Sequence, residues 1–518
     1  MTAAPSAGAS SPDPRAAPPA SATAAALRLP AVFGDHMVLQ AGQPVPVWGR
    51  AAPGDSISVS FAGQTARGTG DATGRWRVVL QPLVASATPA VFTVRAGAGD
   101  SLVLVDVLVG EVWLASGQSN VGVPLPQAEG GARDLEASHS SLLRLLRIPE
   151  RVSLEPLPDV RAAWSRATRE SLESFSAVGY YFARSLQPEL GVPVGVVQAA
   201  YGGAVCEAFM SPGALCEPRW APILQTWERF VRQYPSTPEE RARVALERRL
   251  KVIAAGHVPP PWPLEPKPPD HFHRPSSLYH GMVHPLVPFA LAGVLWYQGE
   301  ANGWRGHQYR ELLPALVADW RRQWGRPDLP FLFVQLPGFA ADWLEPDIWP
   351  ELREAQLLTW QRVPHTAMVG AIDVGDPQDL HPRRKREVGE RLALAALATV
   401  YGRAVEFSGP VFHGLQREER RLRLCFDHAA GGLVCPGDGV AGFTVAGEDR
   451  RFMAAQAVVE GETVVVWSQD VAAPVAARYG WSNAPAVSLY NAAGLPASPF
   501  RTDAWPGVTD GRVEPEAY

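Results

Sequence analysis

Cysteine is scarce in this chain: Cys206, Cys216, Cys425 and Cys435 are the only four in 518 residues. Four are too few for a disulfide scaffold, and with no Cys-x-x-Cys pair or Cys/His cluster a structural zinc site is not expected. Cys425 and Cys435 are spaced to face each other across a hairpin, although free buried thiols are the commoner state. Long apolar runs are missing too. The best candidate, Leu286 to Tyr297, falls short of the ~18 residues that span a bilayer and contains Pro288, so neither a transmembrane helix nor a membrane partner is expected. Lysine is nearly absent: Lys251, Lys267 and Lys385 stand among 47 basic residues, and 52 acidic ones bring the net charge to −5. Without a basic surplus to neutralise a phosphate backbone, nucleic acid is not an expected partner. No basic segment followed by an apolar one opens the chain, so no secretory signal is recognisable. Location stays open between the cytoplasm and, if the start codon is misplaced, export.

What is present is ordinary globular material. Hydrophobic residues make up 46% and charged residues 19%, and the length gives a prior of about three domains. Glycine (47) and proline (50) are plentiful, which favours turns and β-rich modules over long helices. Residues 1–26, rich in Ala, Pro and Ser, read as a tail unable to bury itself. Residues 27–104 alternate apolar and polar positions between frequent turns, the pattern of an N-terminal β sandwich. Residues 105–403 then alternate buried strands (109–115, 194–199, 293–297, 330–335, 367–372) with helical stretches (174–186, 309–324, 352–361, 386–397). That order predicts an α/β fold built on a doubly wound parallel sheet. Inside it, residues 212–275 read as a surface excursion with a charged helix over 238–255 and a proline-rich run after it. The excursion either walls a cleft or is simply solvated. Residues 404–518 return to a β pattern and form a second β domain and tail.

Four polar clusters follow apolar strands, where an open α/β sheet places its ligands. Gly117-Gln118-Ser119-Asn120 offers a hydroxyl with room beside it, or a simple turn and helix cap. No glycine lies two residues after Ser119, which argues against an α/β-hydrolase elbow. Tyr201-Gly202-Gly203 offers backbone N–H groups to a developing oxyanion, or a plain tight turn. Gln298-Gly299-Glu300-Ala301-Asn302 offers amide donors and a carboxylate, or a polar turn. Asp373, Asp376, Asp379 and His381 lie within nine residues. They provide a general base with an acid, or alternatively a metal site.

Taken together, Gly110-Glu-Val-Trp-Leu-Ala-Ser-Gly-Gln-Ser-Asn120, Trp296-Tyr-Gln-Gly-Glu-Ala-Asn302 and Gly375-Asp-Pro-Gln-Asp-Leu-His-Pro382 resemble the sialate O-acetylesterase family of SGNH-type hydrolases. So do Phe33 to Gln40, Leu278 to Pro285, Glu351 to Gln356 and Leu495 to Asp503, and the resemblance runs over roughly residues 28–505. It implies Ser119 as nucleophile, His381 as base and Asp379 as the acid that orients it. It also implies an oxyanion hole from the Ser119 and Gly203 N–H groups with the Gln298 and Asn302 amides. Gln118, Asn120 and Glu300 are expected to contact substrate. No cofactor or metal is implied. Two positions depart from the family pattern: Val121 replaces a Met, and Gln378 stands where many SGNH enzymes carry the acid, so Asp376 and Asp373 remain rivals of Asp379. The expected substrate is an O-acetylated sugar, sialic acid first, with acetylated xylan as the alternative. A carbohydrate-binding protein with an idle hydrolase core is the rival from another class.

Overall fold

The computed structural model describes residues 26–514 apart from 98 and 438, so the tail expected over 1–26 lies almost wholly outside the described residues. Its organising element is the 18-residue strand Asp100–Gly117. The first half, Asp-Ser-Leu-Val-Leu-Val, alternates in burial, whereas the stretch through Val-Trp-Leu-Ala-Ser is continuously buried. The two halves therefore suit different neighbours: a sheet with one wet face, then a sheet covered on both. The first half pairs antiparallel with Ser86–Ala96, in register Val94 opposite Leu102, and residues 108–110 pair parallel with Val38–Gln40. The second half pairs parallel with Val194–Ala200 on one side and Gly293–Tyr297 on the other.

From one edge to the other, the main sheet runs Thr366–Gly370, Phe331–Gln335, Gly293–Tyr297, Asp100–Gly117, Val194–Ala200, Ser140–Arg147 and Trp164–Ala167. All pairings are parallel except the last. The five expected strands are all here. Ser140–Arg147 and Trp164–Ala167 were not expected, because Ser-Ser-Leu-Leu-Arg-Leu-Leu-Arg has neither a period of two nor β-branched residues. The boundary expected near residue 104 falls inside a strand, so the N-terminal β layer and the α/β layer share one mixed sheet of 11 strands. Asp106, in the left-handed region at φ 56°, marks the changeover. Its carboxylate binds Arg144 (2.7 Å), Arg166 (2.7 Å) and His36 (2.7 Å), and the Arg144 guanidinium holds it far below the usual carboxylate range.

Helices Ala177–Leu190 and Lys385–Thr399 pack together against the sheet, as do Gly306–Trp324 and Ile348–Arg362. Ser176 caps the first through the Gly179 N–H, and Gly191 ends it at φ 68°. The C-terminal part holds two four-stranded antiparallel sheets with a core of their own, around Leu424, Val464, Tyr479 and Phe500. Cys425 sits on a central strand opposite Gly414 and Thr463, and the Cys435 thiol lies 2.9 Å from the Gly439 carbonyl; both are free thiols. Free thiols are the commoner of the two states open to this pair; the hairpin that could have brought them face to face does not form, because the chain between them turns into a separate short strand at Leu433–Val434. Buried Arg353 reaches the Ser482 and Asn483 carbonyls, and Gln335 binds Ser498 at 2.9 Å. The motifs Glu351 to Gln356 and Leu495 to Asp503 thus join the C-terminal part to the main sheet.

Candidate active site

Gly117 ends the central strand at φ 131°, a conformation that disfavours any side chain, and a Cβ there would meet the Tyr297 carbonyl at 2.2 Å. The chain turns sharply into the short helix Ser119–Gly122, which lifts Ser119 above the carboxyl edge of the sheet. Ser119 Oγ lies 2.7 Å from His381 Nε2. Serine and histidine, 262 positions apart, thus meet where two strand-end loops converge.

The residues flanking the serine face inward. Gln118, 2% exposed, accepts through Oε1 from Gln298 Nε2 (3.3 Å) and from the Gly299 and Ala301 N–H groups. Asn120, fully buried, donates to Glu300 Oε1 (2.5 Å) and to the Leu380 carbonyl (3.1 Å), and accepts from Lys385 Nζ (2.5 Å). Asn120 therefore ties the serine turn to the histidine loop and separates a buried Glu300 from a buried Lys385. Burial pushes the Glu300 carboxyl up and the Lys385 ammonium down to about 7. Of Gln118, Asn120 and Glu300, expected to contact substrate, only Asn120 is closed off from the cavities. Gln118 and Glu300 line a cavity; Gln118 Oε1 and Glu300 Oε1 are engaged by the scaffold, and the buried Glu300 Oε2 has no hydrogen-bond partner among the described residues.

The amides of the third cluster are engaged as well. Gln298 Nε2 binds the Ala204 carbonyl (3.0 Å) and Asn302 Oδ1 (2.8 Å), and its Oε1 accepts from Tyr309. Asn302 Nδ2 binds Glu207 (3.0 Å), itself paired with buried Arg305 at 2.5 Å. Gln298 Nε2 thus faces three acceptors, whereas Asn302 gives one of its two amide N–H groups to Glu207. The Ser119 and Gly203 backbone N–H groups, by contrast, find no protein acceptor among the described residues. Gly203 is left-handed at φ 68°, and its carbonyl accepts from His273 Nε2 at 2.8 Å. Burial lowers the His273 pKa well below the ordinary imidazole value, so a neutral ring fixes the glycine turn. His273 escaped the sequence reading, since its signal, one of three histidines in a proline-rich excursion, resembles any surface loop.

The three aspartates of the last cluster divide the loop's local tasks. Asp373 forks onto Arg391 (2.7 and 2.8 Å), Asp376 accepts from the Gln378 N–H, and Asp379 accepts from the backbone N–H of His381 at 2.8 Å rather than from its ring. Burial lowers the His381 pKa, Lys385 adds to that, and the Asp379 charge opposes it. No group of His, Cys, Asp and Glu able to hold a metal occurs among the described residues.

Two cavities flank the serine. One, of ≈ 260 Å³, is lined by Ser119, Gly202 and His381 together with Gln127, Arg147 and Glu150. The other, of ≈ 660 Å³, runs from Gly203 and Leu380 outward between the proline-rich run and the loop around Trp343. The excursion at 212–275 is therefore, in part, a wall of a cleft.

Comparison with known proteins points to one family of enzymes. The family profile for carbohydrate esterase, sialic acid-specific acetylesterase, matches residues 269–398. Sialate O-acetylesterase of Mus musculus is 29% identical over 74% of this chain and 75% of its own, and the Homo sapiens protein is 29% identical over 74% and 73%. The crystal structure of a carbohydrate acetylesterase from Xanthomonas citri is 38% identical, covers 92% of this chain and 100% of that one, and superposes with a TM-score of 0.79. That likeness extends over the β layers as well as the α/β sheet. Removal of O-acetyl groups from sugars is the activity these relatives support. The chain belongs to the sialate O-acetylesterase family of carbohydrate esterases and is a carboxylic ester hydrolase.

Proposed function

We propose that the chain removes O-acetyl groups from sugars through an acetyl-enzyme on Ser119, with His381 as general base. The observation that carries this reading is the 2.7 Å contact between Ser119 Oγ and His381 Nε2 at the carboxyl edge of the sheet. With the proton on Nδ1, Nε2 takes the serine proton as Oγ attacks the acetyl carbon. The Ser119 and Gly203 N–H groups bind the developing oxyanion. The imidazolium then protonates the leaving sugar hydroxyl, and water, activated by the same nitrogen, releases acetate. Asp379 serves this cycle through its charge and its grip on the His381 backbone.

Sialic acid stands first among the sugars because of the family, with acetylated xylan as the alternative. O-acetylated sialic acid, acetylxylan and a chromogenic acetate ester, assayed side by side with wild type and Ser119→Ala, test the reading. Acetate release by wild type on at least one sugar, absent in the variant, is expected. A folded Ser119→Ala protein that keeps more than about 5% of wild-type turnover removes Ser119 as nucleophile.

A further inference from the structure

An acetyl group needs little space, yet the serine opens beside a cavity of ≈ 660 Å³, within the range of about 300–1,000 Å³ usual for small-molecule sites. Gln118 lines both this cavity and the smaller one that holds Ser119 and His381. Gly203 and Leu380 border the large cavity, while their chain neighbours Gly202 and His381 border the small one. The two spaces thus adjoin beside the reacting pair, with Gln118 common to both and Ser119 and His381 lining the smaller one.

The outer wall of the large cavity is aromatic. Trp262 of the excursion and Trp343 of the facing loop meet edge to face at 4.8 Å, and Trp262 is 47% exposed although the core tryptophans Trp113, Trp296 and Trp320 are sealed. A large ring left in water at the mouth of a cavity costs solvation that a flat apolar ligand face recovers. The C–H face of a sugar ring is such a surface. The charged lining then selects among sugars. It consists of Glu265, Glu300, Asp342 and Glu345 against Lys267, and Glu345 is already forked by Arg512 at 2.7 and 2.9 Å. With carboxylates in excess, an anionic sugar is repelled and a neutral one is not.

Resting on the acetylesterase reading above, we propose that this cavity is a glycan subsite. It holds neutral sugar rings adjoining the acetylated one, so the substrate is a neutral oligosaccharide or polysaccharide chain rather than a free acidic monosaccharide. Trp262 is its outer platform.

The test compares wild type, Trp262→Ala and Trp262→Phe on three esters: acetylated xylotetraose, acetylated xylose and a chromogenic acetate. Wild type is expected to favour the tetramer over the monomer by about tenfold or more in kcat/KM, the scale of one aromatic stacking contact. Trp262→Ala should remove most of that preference through KM, leave the chromogenic ester within about twofold, and be rescued by Trp262→Phe. The unaltered chromogenic rate shows that the variant is folded. Equal rates on monomer and tetramer, preference for O-acetylated sialic acid assayed alongside, or a Trp262→Ala loss shared by all three esters overturns the subsite while leaving the esterase standing. Turnover of the chromogenic ester with none on any acetylated sugar overturns the sugar reading and the subsite with it.

Discussion

Ser119 reaches its hydrogen bond from the end of a buried strand, whereas His381 reaches it from a loop whose acidic residues are partly or fully exposed. The serine arm is held by groups that have no other place to go: Gly117 against Tyr297, Gln118 in the turn at 299–301, and Asn120 between Glu300 and Lys385. The histidine arm is held by short-range caps and by a few bonds from distant loops, from Asn120 to the Leu380 carbonyl, from the Ala340 N–H to the Pro377 carbonyl and from the Glu129 N–H to the Arg383 carbonyl. Precision on one side comes from burial and on the other from single backbone ties, one of which, to Leu380, comes from the serine arm. This asymmetry predicts that substitutions on the serine arm propagate to the histidine, and that those within the histidine loop stay local.

The largest effects belong to the contact itself. Ser119→Ala and His381→Ala should each lower kcat by on the order of 10⁴-fold or more with unchanged melting temperature, and turnover above about 5% of wild type in either would break the shared mechanism. Next come the residues between the arms. Lys385→Met leaves the buried Glu300 without its nearby cation and should cost about 3 kcal/mol of unfolding free energy, part of which Glu300→Gln in the same chain restores. Strictly additive melts of the two single variants would show that the pair is not coupled through Asn120.

The aspartates should respond less. Asp379→Asn keeps an oxygen to accept the His381 N–H, so its effect falls mainly on the charge felt by the imidazole. Asp373→Asn breaks the fork to Arg391 and should appear in stability rather than in kcat. Failure of this order, with Asp373→Asn or Asp376→Asn slower than Asp379→Asn, would reassign the acid. The smallest expected change is a shift in pH dependence. His381 acts deprotonated, so activity falls as pH drops through its pKa. Since burial and Lys385 lower that pKa from 6.5, the acid limb of kcat/KM should lie below pH 6.5. Lys385→Met should move the limb upward and Asp379→Asn downward; movement in the same direction would contradict the opposing charges.

The serine arm was the more legible in sequence for the same reason. Gly117-Gln-Ser-Asn120 occupies a strand end where backbone crowding permits few alternatives, and apolar runs such as Gly293 to Tyr297 can only be buried strands. In the histidine loop, three aspartates of equal appearance differ only in which N–H or guanidinium each meets, a matter of turn geometry that spacing does not encode. Gln298 and Asn302 looked like donors to substrate because an amide in sequence carries no sign of its partner. Their partners, the Ala204 carbonyl and Glu207, lie nearly a hundred residues away. His273 and Trp262 were hidden by a proline-rich composition typical of solvated loops.

The strand Asp100–Gly117 also sets a limit on how this enzyme can be taken apart. A hydrolase excised at residue 105 would lose the Ser86–Ala96 partner of that strand and the Val38–Gln40 partner beyond it. Bonds such as Leu108 N–H to Met37 O and Ala41 N–H to Gly110 O would go with them. The cut would turn interior backbone into an open edge only a few residues upstream of the nucleophile. The β layer is thus not an exchangeable accessory that can be shuffled onto another hydrolase: it is inherited together with the serine, on the same strand.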